Sequence, residues 1–323
     1  MRVTIDRALT AAAIAVCVLC CQLPLPALAQ DAAAPVKFTF APPTPLTYVE
    51  ESVTRRATII SGQDAGDEEA TVRIKTTVTK EGEGFKISAE PQSSVLTRGG
   101  KPVKDKVWDV LSATPVIYHL DPVGKLKSIE GYADVLAAAS KVASKDVRKT
   151  LEATMSEKSL IEKETAQWNS RIGDFIGREA VRNSVWVTEG VYPLPDGTAA
   201  NFFVVTLFDR VLEQDGRKLA RLRFFLTADR DTIQTRVNDM ARDVVKGVPR
   251  PRPLINPVGF AVSGQGERLV DPATMIVYSE KGTREILVSL PGRDRDSAIP
   301  VLIQETRQSK MLPGAGAGEP AKN

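Results

Sequence analysis

The feature that most constrains the fold is a hairpin pattern in residues 201–228, NFFVVTLFDRVLEQDGRKLARLRFFLTA. Two runs of strand-favouring residues flank Asp215-Gly216, and a two-residue Asp-Gly loop is typical of a type I′ turn, whose central residues need positive φ. Counting outward from this turn predicts one face with the pairs Glu213–Lys218, Val211–Ala220, Asp209–Leu222, Leu207–Phe224, Val205–Leu226 and Phe203–Ala228. The other face carries Leu212–Leu219, Arg210–Arg221, Phe208–Arg223 and Thr206–Phe225.

The second face of this hairpin is apolar at one end and cationic at the other, which suits an amphiphile with an acidic head. The turn and the alternation fix the register together, because a slip of one residue would exchange the two faces. The pattern therefore predicts a ligand site made by Phe202, Val204, Phe208, Phe225, Arg210, Arg221 and Arg223. The competing interpretation is an ordinary core beneath a helix with arginines at its solvent edge.

The N-terminus predicts export. Two arginines near the start, an apolar run from Ala8 to Leu19 and the ending Ala27-Leu28-Ala29 are typical of a secretory signal peptide over residues 1–29. Cys17, Cys20 and Cys21 are the chain's three cysteines, so a chain cleaved near Ala29 has no thiol for a disulfide. The predicted location is the periplasm or the medium, and the alternative is a lipid anchor at Cys20 or Cys21.

Charge and apolar patterning exclude two further classes of protein. Loss of residues 1–29 removes two arginines and one aspartate, so the net charge falls from +3 to about +2. Basic and acidic residues are interspersed, whereas a nucleic-acid surface needs a concentrated basic face. No apolar run after the signal peptide reaches the ~20 residues of a spanning helix. The sequence thus predicts neither a nucleic-acid partner nor a transmembrane segment in the mature chain.

The rest of the chain indicates one β-rich domain. An Ala- and Pro-rich flexible leader is predicted over 30–45, a single domain over 46–310 and a disordered tail over 311–323. Strands with period-two alternation, such as 70–80, indicate a half-buried antiparallel sheet. Turns are predicted at Gly99-Gly100 and Lys281-Gly282, and Gly264 and Gly266 are predicted to begin the last set of strands. The fold class is α+β, mainly antiparallel β, with a curved, half-barrel-like meander sheet covered by a few helices.

Two helical regions interrupt the strands, an excursion over 132–178 and a helix over 231–246. Ser159 and Glu162 fit a capping box. A stripe at three- and four-residue spacing then follows, made by Leu160, Ile161, Glu164, Trp168, Ile172, Phe175 and Ile176. From Pro249 to Pro257 the chain holds four prolines, and this strap cannot be a central strand because proline lacks the ladder donor.

A family resemblance appears where two short strands meet a turn. The spacing Asp121-x-x-Gly124-Lys125-x-x-x-Ile129-x-Gly131, after an exported leader and meandering strands, is similar to an uncharacterised bacterial family of secreted β-rich proteins. The chain also distantly resembles the periplasmic lipoprotein-carrier fold, in which a curved antiparallel sheet wraps a helical lid. The resemblance covers residues 46–303, and it implies a fold rather than an activity.

Catalytic and metal chemistry find little support in the residue types. His119 is the one histidine, so a Ser-His-carboxylate triad would have to include it, and no nucleophile-elbow pattern is present. Transition metals need clustered His or Cys, and no cofactor motif is found. The sequence therefore predicts a non-catalytic exported binder or carrier of a hydrophobic or amphiphilic ligand. The alternatives are a protein-interaction or envelope module using edge strands and the strap from Pro249 to Pro257, and a carboxylate-based hydrolase.

Overall fold

The structure is a computed structural model that describes residues 34–145, 147–148, 151, 156–193, 199–228, 260–291 and 298–312. The fold described here belongs to the unit that begins at Val36. The predicted signal peptide, the helix over 231–246 and the strap from Pro249 to Pro257 lie outside the described residues, as does the predicted tail beyond Leu312.

Most of the described chain is one antiparallel sheet. Its strands are β2 (Leu46–Ile60), β3 (Gln63–Glu81), β4 (Gly84–Arg98), β5 (Lys101–Pro102), β6 (Val116–Leu120), β7 (Leu126–Glu130), β9 (Val185–Pro193), β10 (Ala199–Gln214), β11 (Arg217–Thr227), β12 (Phe260–Val270), β13 (Val277–Pro291) and β14 (Ala298–Met311). The order is β7-β6-β4-β3-β2-β14-β13-β12-β11-β10-β9, and β5 pairs with β4. The predicted fold class, a curved and mainly antiparallel sheet with a few helices, is confirmed.

In the part of the chain that the structure describes, three short α-helices accompany the sheet, α1 (Lys106–Leu111), α2 (Tyr132–Val142) and α3 (Glu157–Trp168). Asp105 caps α1 by accepting from the backbone N–H groups of Val107 and Trp108. Helix α1 was not predicted, because it is too short to show a helical period.

The cap of α3 differs from the prediction. The Ser156 side chain accepts from the Ser159 backbone N–H, and Ser159 Oγ accepts from the Ser156 backbone N–H, each at 3.0 Å. The capping box is therefore Ser156 with Ser159, and α3 begins three residues before the position that Ser159 and Glu162 predicted. After Trp168 a π-helical turn, Asn169–Gly173, continues the chain.

The segment after Val36 is part of the core and is not a flexible leader. Strand β1 (Val36–Lys37) pairs with β8 (Glu179–Ala180). The Thr39 backbone N–H donates to the Pro272 carbonyl at 2.8 Å. Phe38 and Phe40 are 0% and 8% exposed. Phe38 and Phe40 were the sequence signal for a buried segment, since phenylalanines at alternate positions are not expected in a flexible leader.

An aromatic cluster joins this segment to the strands. The Phe38 ring lies 5.9 to 6.1 Å from the rings of Phe175, Trp186 and Phe208. Edge-to-face contacts dominate, which is the geometry that aromatic quadrupoles favour. This cluster anchors the end of the helical region, at Phe175, to strands β9 and β10.

The central hairpin follows the prediction from its turn as far as Arg210. Asp215 and Gly216 have φ of 52° and 72°, as a type I′ turn requires. The pairs Gln214–Arg217 through Arg210–Arg221 are observed. The register then shifts at Asp209, so that Phe208 pairs with Leu222 and Val205 with Phe225. The predicted pairing beyond the shift is therefore wrong by one residue.

Three glycines predicted at turns or strand starts lie inside strands. Gly264 and Gly266 belong to β12, and Gly282 lies within the continuous strand β13. A Cβ on Gly266 would overlap the Phe224 ring. These glycines are therefore required by close packing on one face of the sheet, which is the second common reason for glycine in a strand.

Candidate functional site

The site lies between α3 and one face of the sheet, which we call the inner face. The ring of Trp168, the last residue of α3, stacks on Tyr118 of β6 with centroids 6.0 Å apart, and it meets Phe40 edge to face at 6.2 Å. Leu160, Trp168 and Ile172 of the predicted helical stripe point to the same side. The π-helical turn continues α3 beyond Trp168, so Ile172 remains part of this stripe. The helix stripe and the inner strand residues therefore face each other.

A cavity of about 480 Å³ remains between them, which we call the apolar chamber. Its walls come from β2, β3, β4, β6, all three helices and the segment before β13. The lining side chains include Tyr48, Val72, Ile74, Val78, Ile87, Ala89, Val116, Tyr118, Trp108, Leu111, Leu160, Trp168, Ile172, Met275 and Ile276. These strand residues alternate along the chain, so a single face of each strand supplies the lining.

The apolar chamber also has a minority of polar lining residues, which include Glu50, Ser52, Thr76, Ser112, Thr114, Glu164, Gln167, Arg171 and Arg307. The Tyr118 hydroxyl donates to Glu164 at 3.3 Å. Burial, reinforced by the negative charge of Glu164, raises the pKa of Tyr118. The same two causes, in the same order, raise the pKa of Tyr132. Both phenols therefore stay protonated at neutral pH and act as hydrogen-bond donors.

A second cavity of about 460 Å³, which we call the arginine chamber, adjoins the first. Its apolar lining comes from Phe202, Val204, Phe224 and Leu226 on β10 and β11. Its charged lining includes Arg56, Arg171, Arg268, Arg284, Arg307, Glu280 and Glu305. Gln167, Arg171 and Arg307 line both chambers, so these three residues mark the boundary between the apolar space and the charged space.

Glu280 is the centre of one ion network at this boundary. Its carboxylate accepts from Arg268 Nε at 2.7 Å and from Arg171 Nε at 3.1 Å. Arg268 also donates to the backbone carbonyls of Ser170 and Arg171, at 3.3 Å each. Burial alone would raise the pKa of Glu280, but the neighbouring guanidiniums outweigh it and hold that pKa well below its usual range. The network fastens the π-helical turn to β12 and β13.

Glu305 is the centre of a second network. It accepts from Arg56 at 3.0 Å and from Arg284 at 3.1 Å. Burial opposes ionisation of this carboxyl, yet the charges of Arg284 and Arg56 hold the pKa of Glu305 below its usual value. Each buried carboxylate is thus shared by two arginines, and positive charge is in excess around the arginine chamber.

The structure separates the seven residues that the sequence grouped as a ligand site. Phe202 and Val204 line the arginine chamber. Phe208 is 3% exposed and packs on Phe38 in the aromatic cluster. Alternation along β11 places Arg221, Arg223 and Phe225 on the opposite, outer face. The reason is the bulge at Asp209, which reverses the faces of β11 relative to the predicted pairing.

Two arginines of that group, Arg210 and Arg221, lie close to carboxylates on the outer face. Arg221 Nη2 lies 2.6 Å from Glu267, and Arg210 Nε lies 3.8 Å from Asp209. Arg210 pairs across the strands with Arg221, so it shares this face. Phe224 and Leu226 line the arginine chamber on the inner face, whereas the sequence had predicted Phe225 as the ligand-site residue of this strand.

Several residues of the site were missed from the sequence, above all Arg268, Glu280 and Arg307. A signal existed in the strand pairing, since Arg268 is directly opposite Glu280 and Arg284 directly opposite Glu305. Opposite charges across antiparallel strands stabilise a pair. That signal is visible only after the register of β12, β13 and β14 is known.

In the described part of the chain, no three His, Cys, Asp or Glu side chains come together as a metal site would require. None of the described helices has the length and apolar character to cross a bilayer. His119 lies on β6 with Nδ1 2.6 Å from Glu81, and it does not line either chamber.

Comparisons with known proteins find similarity at the level of solved structures. No protein-family model matches the chain, and no curated protein matches it. The chain is similar to a structure described as lipid-protein interactions in lipovitellin, with a TM-score of 0.45, 9% identity and coverage of 88% of this chain and 26% of that one. It is also similar to the hypothetical lipoprotein YmcC from Escherichia coli, with a TM-score of 0.21, 12% identity and coverage of 82% and 89%. The chain therefore spans about a quarter of the length of the lipovitellin chain.

Proposed function

We propose that this protein binds a hydrophobic or amphiphilic ligand in the apolar chamber. The observation that carries the proposal is the cavity of about 480 Å³ between α3 and the inner face. Protein interiors are packed about as densely as organic crystals, with few voids larger than a water molecule. A space of this size lies within the roughly 300–1,000 Å³ typical of ligand pockets.

The lining of the chamber supports the same role. Side chains from several strands and from α3 present a mostly apolar wall with a minority of polar groups, which is the usual composition of a small-molecule pocket. Trp168 and Tyr118 place two stacked rings against the space. The helix covers the sheet without filling the volume beneath it, so burial of an apolar chain there would remove further surface from water.

We also infer that the role is non-catalytic and exported. The support is the N-terminal pattern of residues 1–29, the absence of a thiol after Cys21 in the sequence, and the position of His119 away from both chambers. Mass analysis of the mature protein would test the expected cleavage near Ala29. A chain recovered intact in the cytoplasm would contradict export, and a diacylglyceryl adduct at Cys20 or Cys21 would favour the lipid-anchored alternative.

Extraction of bound molecules tests the binding proposal. The full mature chain is purified without detergent, and solvent extracts are analysed by mass spectrometry. We expect an amphiphile in stoichiometric yield. Reloading of the delipidated protein with the extracted molecule is then measured by tryptophan fluorescence, because Trp108 and Trp168 line the chamber.

A pair of variants on one strand shows where the ligand lies. Ala89→Phe adds a ring inside the chamber, because Ala89 is part of its lining. Ser88→Phe adds the same ring one position earlier, on the opposite face of β4. We expect Ala89→Phe to abolish ligand recovery and Ser88→Phe to retain it. Equal recovery from both folded variants would refute binding in the apolar chamber.

The interaction-module alternative has one observation in its favour. Strand β9 ends the described sheet, and its Val187 is 49% exposed, as an edge that accepts a partner strand would be. The strap from Pro249 to Pro257 lies outside the described residues, so its role stays a prediction. Val187→Lys would block strand addition and should leave ligand recovery unchanged if the chamber is the site of function.

A further inference from the structure

The unpartnered donors around the two chambers indicate what kind of ligand fits. Six buried polar side-chain atoms lack a hydrogen-bond partner in the described part of the chain. Four of them belong to residues lining the chambers, namely Trp108 Nε1, Trp168 Nε1, Arg284 Nε and Arg307 Nε. All four are N–H donors, and indole and guanidinium groups have no acceptor to offer. A ligand that reaches these donors after a small shift of their side chains would be favoured if it carries acceptor oxygens.

Arg307 is distinguished from the other arginines by its pairing. Arg56, Arg171, Arg268 and Arg284 each contact Glu280 or Glu305 within 3.1 Å. Among the described residues, the guanidinium of Arg307 has no carboxylate within ion-pair distance, and its Nε has no acceptor. Arg307 is half-buried and its Nε is shielded from water, so an anion beside this guanidinium would gain charge-assisted hydrogen bonds that no carboxylate of the described residues supplies.

The charge balance points the same way. The arginine chamber is lined by six cations and by three carboxylates, those of Glu189, Glu280 and Glu305; the cations are Arg56, Lys163, Arg171, Arg268, Arg284 and Arg307. Glu280 and Glu305 are each already shared by two arginines. In the apolar chamber, Arg171 and Arg307 are balanced by Glu50 and Glu164. Positive charge therefore exceeds negative charge on the side of Arg307 that faces the arginine chamber.

We propose that the occupant is an anionic amphiphile whose carboxylate or phosphate head binds at Arg307 and whose apolar chain fills the apolar chamber. This inference rests on the proposed function and names the chemical class of its ligand. Arg307 lines both chambers, so a head held there can extend its chain beneath α3. The planar guanidinium is suited to bidentate contact with carboxylate or phosphate oxygens.

Binding of three probes with the same chain tests the head group. Dodecanoate, dodecyl phosphate and dodecanol are titrated into the delipidated full mature chain below their aggregation limits, and inorganic phosphate is titrated as a chain-free anion. We expect both anionic probes to bind roughly tenfold or more tighter than dodecanol, as one charge-assisted hydrogen bond would give. Inorganic phosphate should bind far more weakly than dodecyl phosphate.

Two variants assign that preference to one side chain. Arg307→Gln should weaken both anionic probes by roughly tenfold or more while leaving dodecanol unchanged. Arg307→Lys, which keeps the charge, should retain most of the preference. Lys310→Gln is the matched control, because it removes one positive charge from the opposite face of the same strand, where Lys310 is 58% exposed. It should leave all affinities unchanged.

The possible failures are distinguishable. Equal affinity for dodecanol and dodecanoate would overturn the anionic head and leave the proposed function standing. Failure of all three chain-bearing probes to bind a folded protein would overturn both. Inorganic phosphate that binds as tightly as dodecyl phosphate would show a free-anion site instead.

The stability of Arg307→Gln is a further test. Arg307 makes no ion pair within 4.0 Å among the described residues, and its longer-range attraction to Glu280 is opposed by its repulsion of Arg268. Its replacement should therefore change the melting temperature of the ligand-free protein very little. A fall of many degrees would identify Arg307 as a structural charge and overturn the assignment.

Discussion

Replacement of Glu280 by glutamine is the perturbation whose consequence follows most directly from the structure. The carboxylate is 10% exposed, and its partner Arg268 is 4% exposed. Glu280 accepts from Arg268 at 2.7 Å and from Arg171 at 3.1 Å. Glutamine keeps the shape and one acceptor oxygen but removes the charge, so two guanidiniums lose the anion that they share.

The expected loss of stability is large for a change of so few atoms. Removal of one partner from a buried ion pair costs about 3–5 kcal/mol, because the remaining charge stays buried and uncompensated. For a domain of this size class each kcal/mol lowers the melting temperature by about 2–4 °C. We therefore expect Glu280→Gln to melt on the order of 10 °C below the parent protein.

The assay is urea and thermal unfolding followed by circular dichroism, with Glu285→Gln as the matched control. Glu285 lies on the same strand but on the opposite face, where Gln304 donates to it at 2.9 Å. Its replacement removes the same charge and should cost about 1 kcal/mol or less, because Gln304 can still donate to the amide oxygen of the new glutamine.

The pH dependence gives a second, independent measurement. The pKa of Glu280 is held below its usual value of 4.5, so its stabilising effect is complete above about 4.5 and is lost as the pH falls through the lower, folded-state pKa. The gap between the parent and Glu280→Gln should thus be constant from pH 7 to pH 5.5 and should narrow in more acidic solution. Equal stability of the two variants at neutral pH would refute the reasoning that Glu280 compensates two buried guanidiniums.

Three further changes test particular elements. Gly266→Ala places a Cβ in overlap with the Phe224 ring, so we expect a loss of about 1–3 kcal/mol in urea unfolding and weaker ligand binding; normal binding would contradict the packing described. Gly216→Ala forces φ of 72° on alanine and should cost about 1–2 kcal/mol, measured in the same way; a cost near zero would mean that the turn is not type I′. The hydrogen bond to Glu81 raises the pKa of His119 above 6.5. The protonated imidazole therefore stabilises the fold fully below pH 6.5, and this stabilisation is lost as the pH rises through the folded-state pKa. If His119→Gln shows the same pH dependence of stability as the parent protein, this contribution is excluded.

The hairpin shows how far local chemistry reaches. Asp215-Gly216 determines a turn with positive φ at both positions, and the pairing beside it follows by counting. The prediction fails at Asp209, where an extra residue enters β10. The Asp209 carboxylate lies 3.6 Å from Arg221 and 3.8 Å from Arg210, so the bulge sits at charge contacts across the strands. A bulge has no dependable local sequence signal, because it depends on what the extra residue meets.

The glycines illustrate the same limit from the opposite direction. Gly264, Gly266 and Gly282 have the residue type of turns, yet they lie within strands next to Phe224 and Leu226. A glycine in the sequence shows that a neighbouring group can pack directly against the backbone, but it does not show which side chain does so. Only the pairing of β11, β12 and β13 brings the rings and the glycines together.

The stripe on α3 was predictable, and the space beneath it was not. Its three- and four-residue spacing determines which residues share a face, and Leu160, Trp168 and Ile172 do line one chamber. Whether that face is filled depends on the distance between helix and sheet, which is set by contacts such as Tyr118 on Trp168 and Arg268 on Ser170. These contacts join residues far apart in the chain.

By itself, then, the sequence determined the elements whose causes are local: the alternating strands, the Asp-Gly turn, the helical stripe and the mainly antiparallel fold class. Tertiary structure decided which face each strand residue occupies beyond the bulge at Asp209, and it assembled Arg307 with Arg171, Arg268 and Glu280 at the boundary of two chambers. The physical reason is that periodicity and turn chemistry act over a few residues, whereas register, charge compensation and unfilled volume depend on strands that meet only in the folded protein.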